Sequence, residues 1–213
     1  MARRALRKLD SSVDLSERLR AIDDLPAPWQ PELLFGRQAP IEVEVGTGKG
    51  LFLASAAAEM PERCFLGIEV SQKYARYAAG RLASRGLTNG CVVHGDALRM
   101  FRERLPNASL AAVHVYFPDP WWKARHKKRR VMTAGLLADI ERTLVPGGSL
   151  HFWTDVQEYF QTTLDLIQEV TRLAGPIAVP EAQPRHDLDY RTHFERRKRL
   201  SGEAVYRAEF LRV

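Results

Sequence analysis

Cysteine is scarce in this chain of 213 residues: only Cys64 and Cys91 occur, both inside apolar runs, and no CxxC or Cys/His spacing accompanies them. That excludes a disulfide scaffold and a thiolate metal site, and the expectation is two buried thiols and no metal. Long apolar runs are missing too. None approaches the roughly 20 residues that a membrane-spanning helix needs. The opening Met1-Ala-Arg-Arg-Ala-Leu-Arg-Lys-Leu leads into no signal-type apolar core, so a cytoplasmic protein with no membrane partner is expected. Two nucleotide-binding loops are absent as well. Gly50 follows Lys49 where the phosphate loop GxxxxGKS/T needs Ser or Thr, and Leu51 stands where GxGxxG needs its last glycine. A nicotinamide-dependent dehydrogenase is therefore disfavoured. The chain holds no internal repeat and no low-complexity segment.

What is present is an ordinary globular composition, 45% hydrophobic and 27% charged, with a net charge of +6. Divided along the chain, that charge is uneven. Segments 3–8, 123–130 and 191–199 hold 4, 6 and 5 Lys or Arg against one acid, Glu195, while the remainder carries 17 cations and 25 anions. An acidic body with three basic patches fits a protein that grips a phosphate backbone better than one that is evenly basic. One domain is expected over residues 29–213, preceded by a basic, mobile arm over 1–28; Pro26, Pro28, Pro31 and Pro40 make the lead-in irregular.

From Ile41 the pattern becomes regular. Strands are expected at Ile41–Val45, Phe65–Val70, Cys91–His94, Leu110–Tyr116, Ser149–Trp153 and Ala204–Leu211. Between them, helices are expected at Leu51–Glu59, Gln72–Arg85 with Ser71 as cap, Ala97–Arg104, Ala134–Thr143 closed by Pro146-Gly147-Gly148, Val156–Leu173 and Thr192–Leu200, with a Pro-rich loop from Gly175. Alternation of this kind implies an α/β fold with a parallel sheet and right-handed crossovers.

The chemistry concentrates at strand ends. Gly46-Thr47-Gly48-Lys49-Gly50 closes the first of these strands just after Glu44, Glu69 closes the second, Asp96 follows the third and Asp119 the fourth. Ligands of open α/β sheets bind at the carboxyl edge, so four acids there form one coherent site. Asp96 is equally placed to cap its helix. Pro118 and Pro120 present Asp119 from a stiff turn, and Trp121-Trp122 lead into six cations within Lys123–Arg130.

This arrangement resembles the class I S-adenosylmethionine-dependent methyltransferases. The resemblance implies a Rossmann-like sheet, mostly parallel with an antiparallel C-terminal strand and helices on both faces. It implies S-adenosylmethionine as cofactor, with Gly46 and Gly48 at close backbone approach, Glu44 near the cationic methionine end, Glu69 on the ribose hydroxyls, Asp96 on the adenine amino group and Asp119 completing the pocket. With Asp119-Pro-Trp-Trp-Lys-Ala-Arg-His-Lys-Lys-Arg-Arg130 included, it narrows to the bacterial tRNA (guanine-N7)-methyltransferases, whose loop is similar to Asp-Pro-Trp-Pro-Lys-Lys-Arg-His. Leu66-Gly67-Ile68-Glu69, Thr154-Asp155 and Thr192-His193-Phe194-Glu195 extend the likeness over residues 29–213. Trp122 stands where that family usually has Pro, and Ala124 where it usually has Lys.

By the same resemblance the partner is tRNA, and the product is 7-methylguanosine in its variable loop. Asp119 is the catalytic residue. Lys123, Asp155, Thr192, His193, Phe194 and Glu195 contact substrate, while Arg125, His126, Lys127, Lys128, Arg129 and Arg130 hold RNA. Asp155 with Glu158, and Thr192 with Glu195, also fit capping boxes. A methyltransferase of the same fold on another RNA, and an RNA-binding protein without catalysis, remain as competing readings. Monomer and homodimer are both open.

Overall fold

In the computed structural model, which describes residues 12–180 and 190–213, the period-two runs pair into one eight-stranded sheet. Its strands are β1 (Leu19–Ala21), β2 (Ile41–Val45), β3 (Cys64–Glu69), β4 (Gly90–His94), β5 (Leu110–Tyr116), β6 (Leu144–Thr154), β7 (Ala174–Ala178) and β8 (Tyr206–Leu211). They lie side by side in the order β1-β4-β3-β2-β5-β6-β8-β7. The pairs from β1 through β6 are parallel, and β8 is antiparallel to both β6 and β7. The expected class I architecture, mostly parallel with an antiparallel C-terminal strand, is the one found.

Helices cover both faces because the strands bury both. The helices are α1 (Glu32–Phe35), α2 (Leu51–Glu59), α3 (Gln72–Ser84), α4 (Ala97–Glu103), α5 (Ala134–Thr143), α6 (Gln157–Val170) and α7 (His193–Leu200). Val43, Val45, Val113 and Val115 point to one core with Phe101, Leu137, Ile140 and Tyr159 of α4, α5 and α6. The opposite core joins Phe65 and Val92 to Phe52 and Leu53 of α2 and to Ala75, Ala78 and Leu82 of α3. Both thiols are free and buried. Among the described residues no helix is long and apolar enough to cross a membrane, and no His/Cys/Asp/Glu group is arranged to hold a metal.

Three regions differ from the sequence expectation. The lead-in is not wholly irregular: β1 adds to β4, and Ile22 and Leu25 sit in the core at 5% and 4% exposure, so the fold begins before residue 29. Residues 1–11 of the expected arm lie outside the described residues. Pro146-Gly147-Gly148 does not separate α5 from a strand but forms an irregularity within β6, where the register to β5 shifts between Leu110 and Ala112. A Cβ on Gly148 would lie 2.9–3.2 Å from the carbonyls of Val145, Ala111 and Leu110, which explains a glycine there. The stretch from Gly175, expected as loop, forms the edge strand β7.

Candidate active site

The carboxyl ends of β4, β3, β2 and β5 are neighbours in the sheet, so the tertiary fold brings Asp96, Glu69, Glu44 and Asp119 to one edge. Between them runs the glycine turn. Gly46, Gly48 and Gly50 all have positive φ (+76°, +53° and +64°), which side chains rarely adopt. A Cβ on Gly46 would meet nothing within 4 Å and one on Gly48 only a carbonyl at 3.9 Å, so this backbone borders open space. Gly50 is constrained differently: its Cβ would collide with Ala78 of α3 at 2.7 Å.

Glu69 ties that turn to the next helix. Its Oε2 accepts the Gly48 N–H at 2.8 Å and its Oε1 accepts the Ser71 N–H at 2.8 Å. Ser71 is the first residue before α3 as expected, but it makes no side-chain cap; the Glu69 carboxylate serves that end. Glu44 is 4% exposed and receives a hydrogen bond from the Thr47 hydroxyl. Burial pushes its carboxyl up to about 8; the Thr47 bond opposes this and the Glu69 carboxylate adds to it. Asp96 caps α4, with Oδ1 accepting the Leu98 N–H at 3.0 Å. The helix-capping role is thus realised for Asp96.

Asp119 is exposed at the crest of a strained turn. Phe117 and Trp121, on either side of Pro118-Asp119-Pro120, have φ of +51° and +44°, a conformation that costs roughly 1–3 kcal/mol for such residues. Surrounding contacts hold it. The Phe117 N–H donates to the Trp153 carbonyl at 2.8 Å, and Arg130 Nε donates to the Pro120 carbonyl at 2.7 Å. Arg130 lies 4.5 Å over the Tyr159 ring with its side chain 11% exposed. It is therefore turned inward and braces the turn from behind; an RNA contact is the sequence expectation for it.

The rest of the charge run, expected as a loop, winds into a 3-10 helix over Ala124–Arg129. Lys123, Arg125 and Arg129 are exposed, Arg129 lies 5.1 Å over the Trp121 ring, and His126 meets that ring edge-on at 5.8 Å. The side chains of Lys127 and Lys128 lie outside those described. Trp122 is 65% exposed.

The C-terminal segment reaches the same edge. Phe194 packs on Phe117 with centroids 5.0 Å apart, and Lys198 Nζ pairs with Asp155 at 2.8 Å. Asp155 is not a helix cap. The N-cap of α6 is Val156, whose N–H donates to Thr154 Oγ1, and Glu158 faces Arg130 at 3.8 Å. The second box does form: Thr192 Oγ1 accepts the Glu195 N–H at 2.9 Å, and Glu195 accepts the Arg191 N–H at 2.7 Å. Glu195 is 3% exposed and is flanked by Arg199 and Arg207, each at 3.4 Å, so it orders α7 from beneath. His193 is exposed and lies 3.1 Å from Arg81 of α3.

Beneath the site runs a polar row, buried at Glu42 and His114 and half-buried at His151 and Glu209, that the sequence did not announce. Glu42, His114, His151 and Glu209 stand on adjacent strands of one sheet face. His114 Nε2 donates to Glu42 at 2.8 Å, its Nδ1 accepts from the Tyr116 hydroxyl at 2.9 Å, and its ring stacks on His151 at 4.7 Å. Burial alone would raise the Glu42 carboxyl, but His114 and Arg63 outweigh it and hold it low; burial lowers His114 against the pull of Glu42 and drives His151 down to about 3. The only hint in the sequence was polar residues inside otherwise apolar strands. Thr47, three residues after Glu44, was likewise passed over.

A family model described as "Putative methyltransferase" matches residues 38–208. A tRNA (guanine-N(7)-)-methyltransferase of Rhodopirellula baltica is 46% identical over 97% of this chain and 79% of its own length. One of Aeromonas hydrophila is 36% identical over 90% of this chain and 81% of its own length. Among solved structures, the antibiotic-resistance methyltransferase Kmr superposes with a TM-score of 0.55 at 17% identity, covering 83% of this chain and 88% of that one. It shares the fold.

Proposed function

Because this chain belongs to the tRNA (guanine-N(7)-)-methyltransferase family, we propose that it moves a methyl group from S-adenosylmethionine to N7 of a guanosine in the tRNA variable loop, giving 7-methylguanosine. The observation that carries the reading is the meeting of Glu44, Glu69, Asp96 and Asp119 with the left-handed glycine turn at one sheet edge.

The residues present suit that cofactor. Open space over Gly46 and Gly48 would admit the methionine portion. Glu44, buried beside it, would pair with the positive end, and Glu69 keeps a free lone pair on each oxygen for ribose hydroxyls, since each now accepts one N–H. Asp96 retains Oδ2 for the adenine amino group. When bound, the cofactor supplies an electrophilic methyl on a sulfonium.

Guanine N7 has an in-plane lone pair and no proton, so its methylation requires no general base. Orientation is then the main task, and holding reactants in line at about 3–3.5 Å accounts for roughly 7–11 kcal/mol of barrier. Positive charge passes to the base during the step. Asp119, on its braced turn, would supply a fixed carboxylate that favours that charge. Phe194 on Phe117 and the Asp155–Lys198 pair wall the nucleoside side of the same turn. Lys123, Arg125 and Arg129 face outward toward the RNA backbone.

The deciding experiment incubates the purified protein with an unmodified tRNA transcript and methyl-labelled S-adenosylmethionine, then digests the RNA and identifies the nucleoside by mass spectrometry. A single 7-methylguanosine in the variable loop is expected. Label in another nucleoside, or cofactor binding without transfer, would replace this reading with one of its competitors.

A further inference from the structure

Helix α3 holds cations that the described fold does not neutralise. From Val70 to Gly95 the chain carries Lys73, Arg76, Arg81 and Arg85 and no Asp or Glu. The inner face of α3 is Ala75, Ala78, Ala79 and Leu82, so a step of about 100° per residue turns Lys73 directly away from it and sets Arg76 and Arg81 on its two flanks. Several long cations elsewhere are paired, Arg63 with Glu42, Arg99 with Asp23 and Glu103, and Arg142 with Asp139. Among the described residues no carboxylate pairs with Lys73, Arg76 or Arg81. Like charges one turn apart disfavour a helix. An acid on this face would relieve that, and the sequence supplies none. Arg85 is a partial exception, since Nη1 donates to the Ala54 carbonyl at 3.3 Å and ties α3 to α2.

The face is continuous with the candidate site. Arg81 Nη2 donates to His193 Nε2 at 3.1 Å, and His193 opens α7. The next residue, Phe194, stacks on Phe117 two positions before Asp119, and the Arg197 guanidinium lies 4.6 Å over the Phe194 ring. Two contacts therefore connect the α3 cations to the turn that carries Asp119. The exposed cations of the charge run, Lys123, Arg125 and Arg129, lie beyond that turn along the chain.

We propose that the outer face of α3, through Lys73, Arg76 and Arg81 and extended by Arg197, is a second polyanion surface that holds the sugar-phosphate backbone of the tRNA while the Asp119 turn engages the guanosine. It rests on the tRNA reading above. Two separate cationic surfaces adjoining the same turn fix the direction of the RNA, which one short patch leaves free to pivot.

The test is a Lys73→Gln/Arg76→Gln variant and its reversed form, Lys73→Glu/Arg76→Glu. The reversed form should keep its fold, because Lys73 lies in the first turn of α3, where an acid suits the helix dipole, and Arg76 is exposed. tRNA affinity is measured by filter binding from 50 to 200 mM salt. The slope of log affinity against log salt should fall by about 1.4–1.8 for two lost phosphate contacts, and KM for tRNA should rise roughly tenfold at 100 mM salt. kcat, affinity for S-adenosylmethionine and melting temperature should stay at wild-type values. A wild-type slope and KM in both variants would overturn the proposal and leave the face to an acidic protein partner or to solvent. Failure of the tRNA reading would look different: the unmodified protein would then form no 7-methylguanosine.

Discussion

Glu44, with a carboxyl pushed up to about 8 by burial, keeps its proton at neutral pH until a cation comes to rest beside it. On the proposed reading, a cationic ligand seated there would release that proton. Titration calorimetry at pH 7 in two buffers of different ionisation enthalpy should therefore record net proton release on binding of S-adenosylmethionine, and Glu44→Gln should remove it. The fold itself feels the opposite pressure. Between the ordinary carboxyl range near 4.5 and about 8 the folded chain holds a proton that the unfolded chain has lost, so this group lowers stability as pH rises through that window. Asp119 has a different task and a different test. Asp119→Ala should lower methyl transfer by about 10²–10³-fold or more, measured as tritium incorporation, with tRNA affinity in filter binding close to wild type. Retained turnover would remove Asp119 from the chemistry.

Among the elements, the Phe117–Trp121 turn depends most on the rest of the chain. Its two left-handed residues have no local preference for that conformation, and the contact that braces it comes from Arg130 at the far end of the charge run. Arg130→Gln should cost about 1–3 kcal/mol of stability for a lost charged hydrogen bond, or a few degrees of melting temperature. It should lower kcat more than it raises KM for tRNA. Neutralising the exposed Arg129 should do the reverse, so comparing the two variants separates bracing from RNA contact. The N-terminus of α7 is ordered in the same indirect way. Thr192 and Glu195, expected at the substrate, close a capping box, and the buried Glu195 carboxylate also gathers Arg199 and Arg207. What α7 offers the site directly is Phe194 and the Lys198 that holds Asp155.

Across the whole molecule, the polar row Glu42–His114–His151–Glu209 links β2, β5, β6 and β8 under the active edge. Burial lowers the buried His114 and the half-buried His151, the second to about 3. The unfolded chain protonates His151 near 6.5 while the folded chain does so only near 3, so stability should fall as pH drops below about 6.5. The loss is up to about 1.4 kcal/mol per pH unit for that one proton. Thermal melts between pH 7 and 5 check this, and His151→Gln should reduce the slope by up to one proton's worth. An unchanged slope would mean that His151 titrates normally in the fold.

How much of this was legible depends on where each residue's partner lies. β2, α2, β5 and α5 fell on their expected bounds because apolar spacing and flanking glycines or caps are carried by neighbouring residues. The four acids at strand ends, and the family they indicate, were readable for the same reason: strand, turn and acid are contiguous. β1 and β7 were not, since a short edge strand has little pattern of its own and forms because β4 or β8 offers a free edge. Nor did the sequence tell the outward Arg129 from the inward Arg130, or show that Asp155 pairs with Lys198 instead of capping α6. Local spacing determined which residues stand at the edge of the sheet. Only the tertiary fold decided which way each one turns, because that choice is made by a partner brought close when the chain closes on itself.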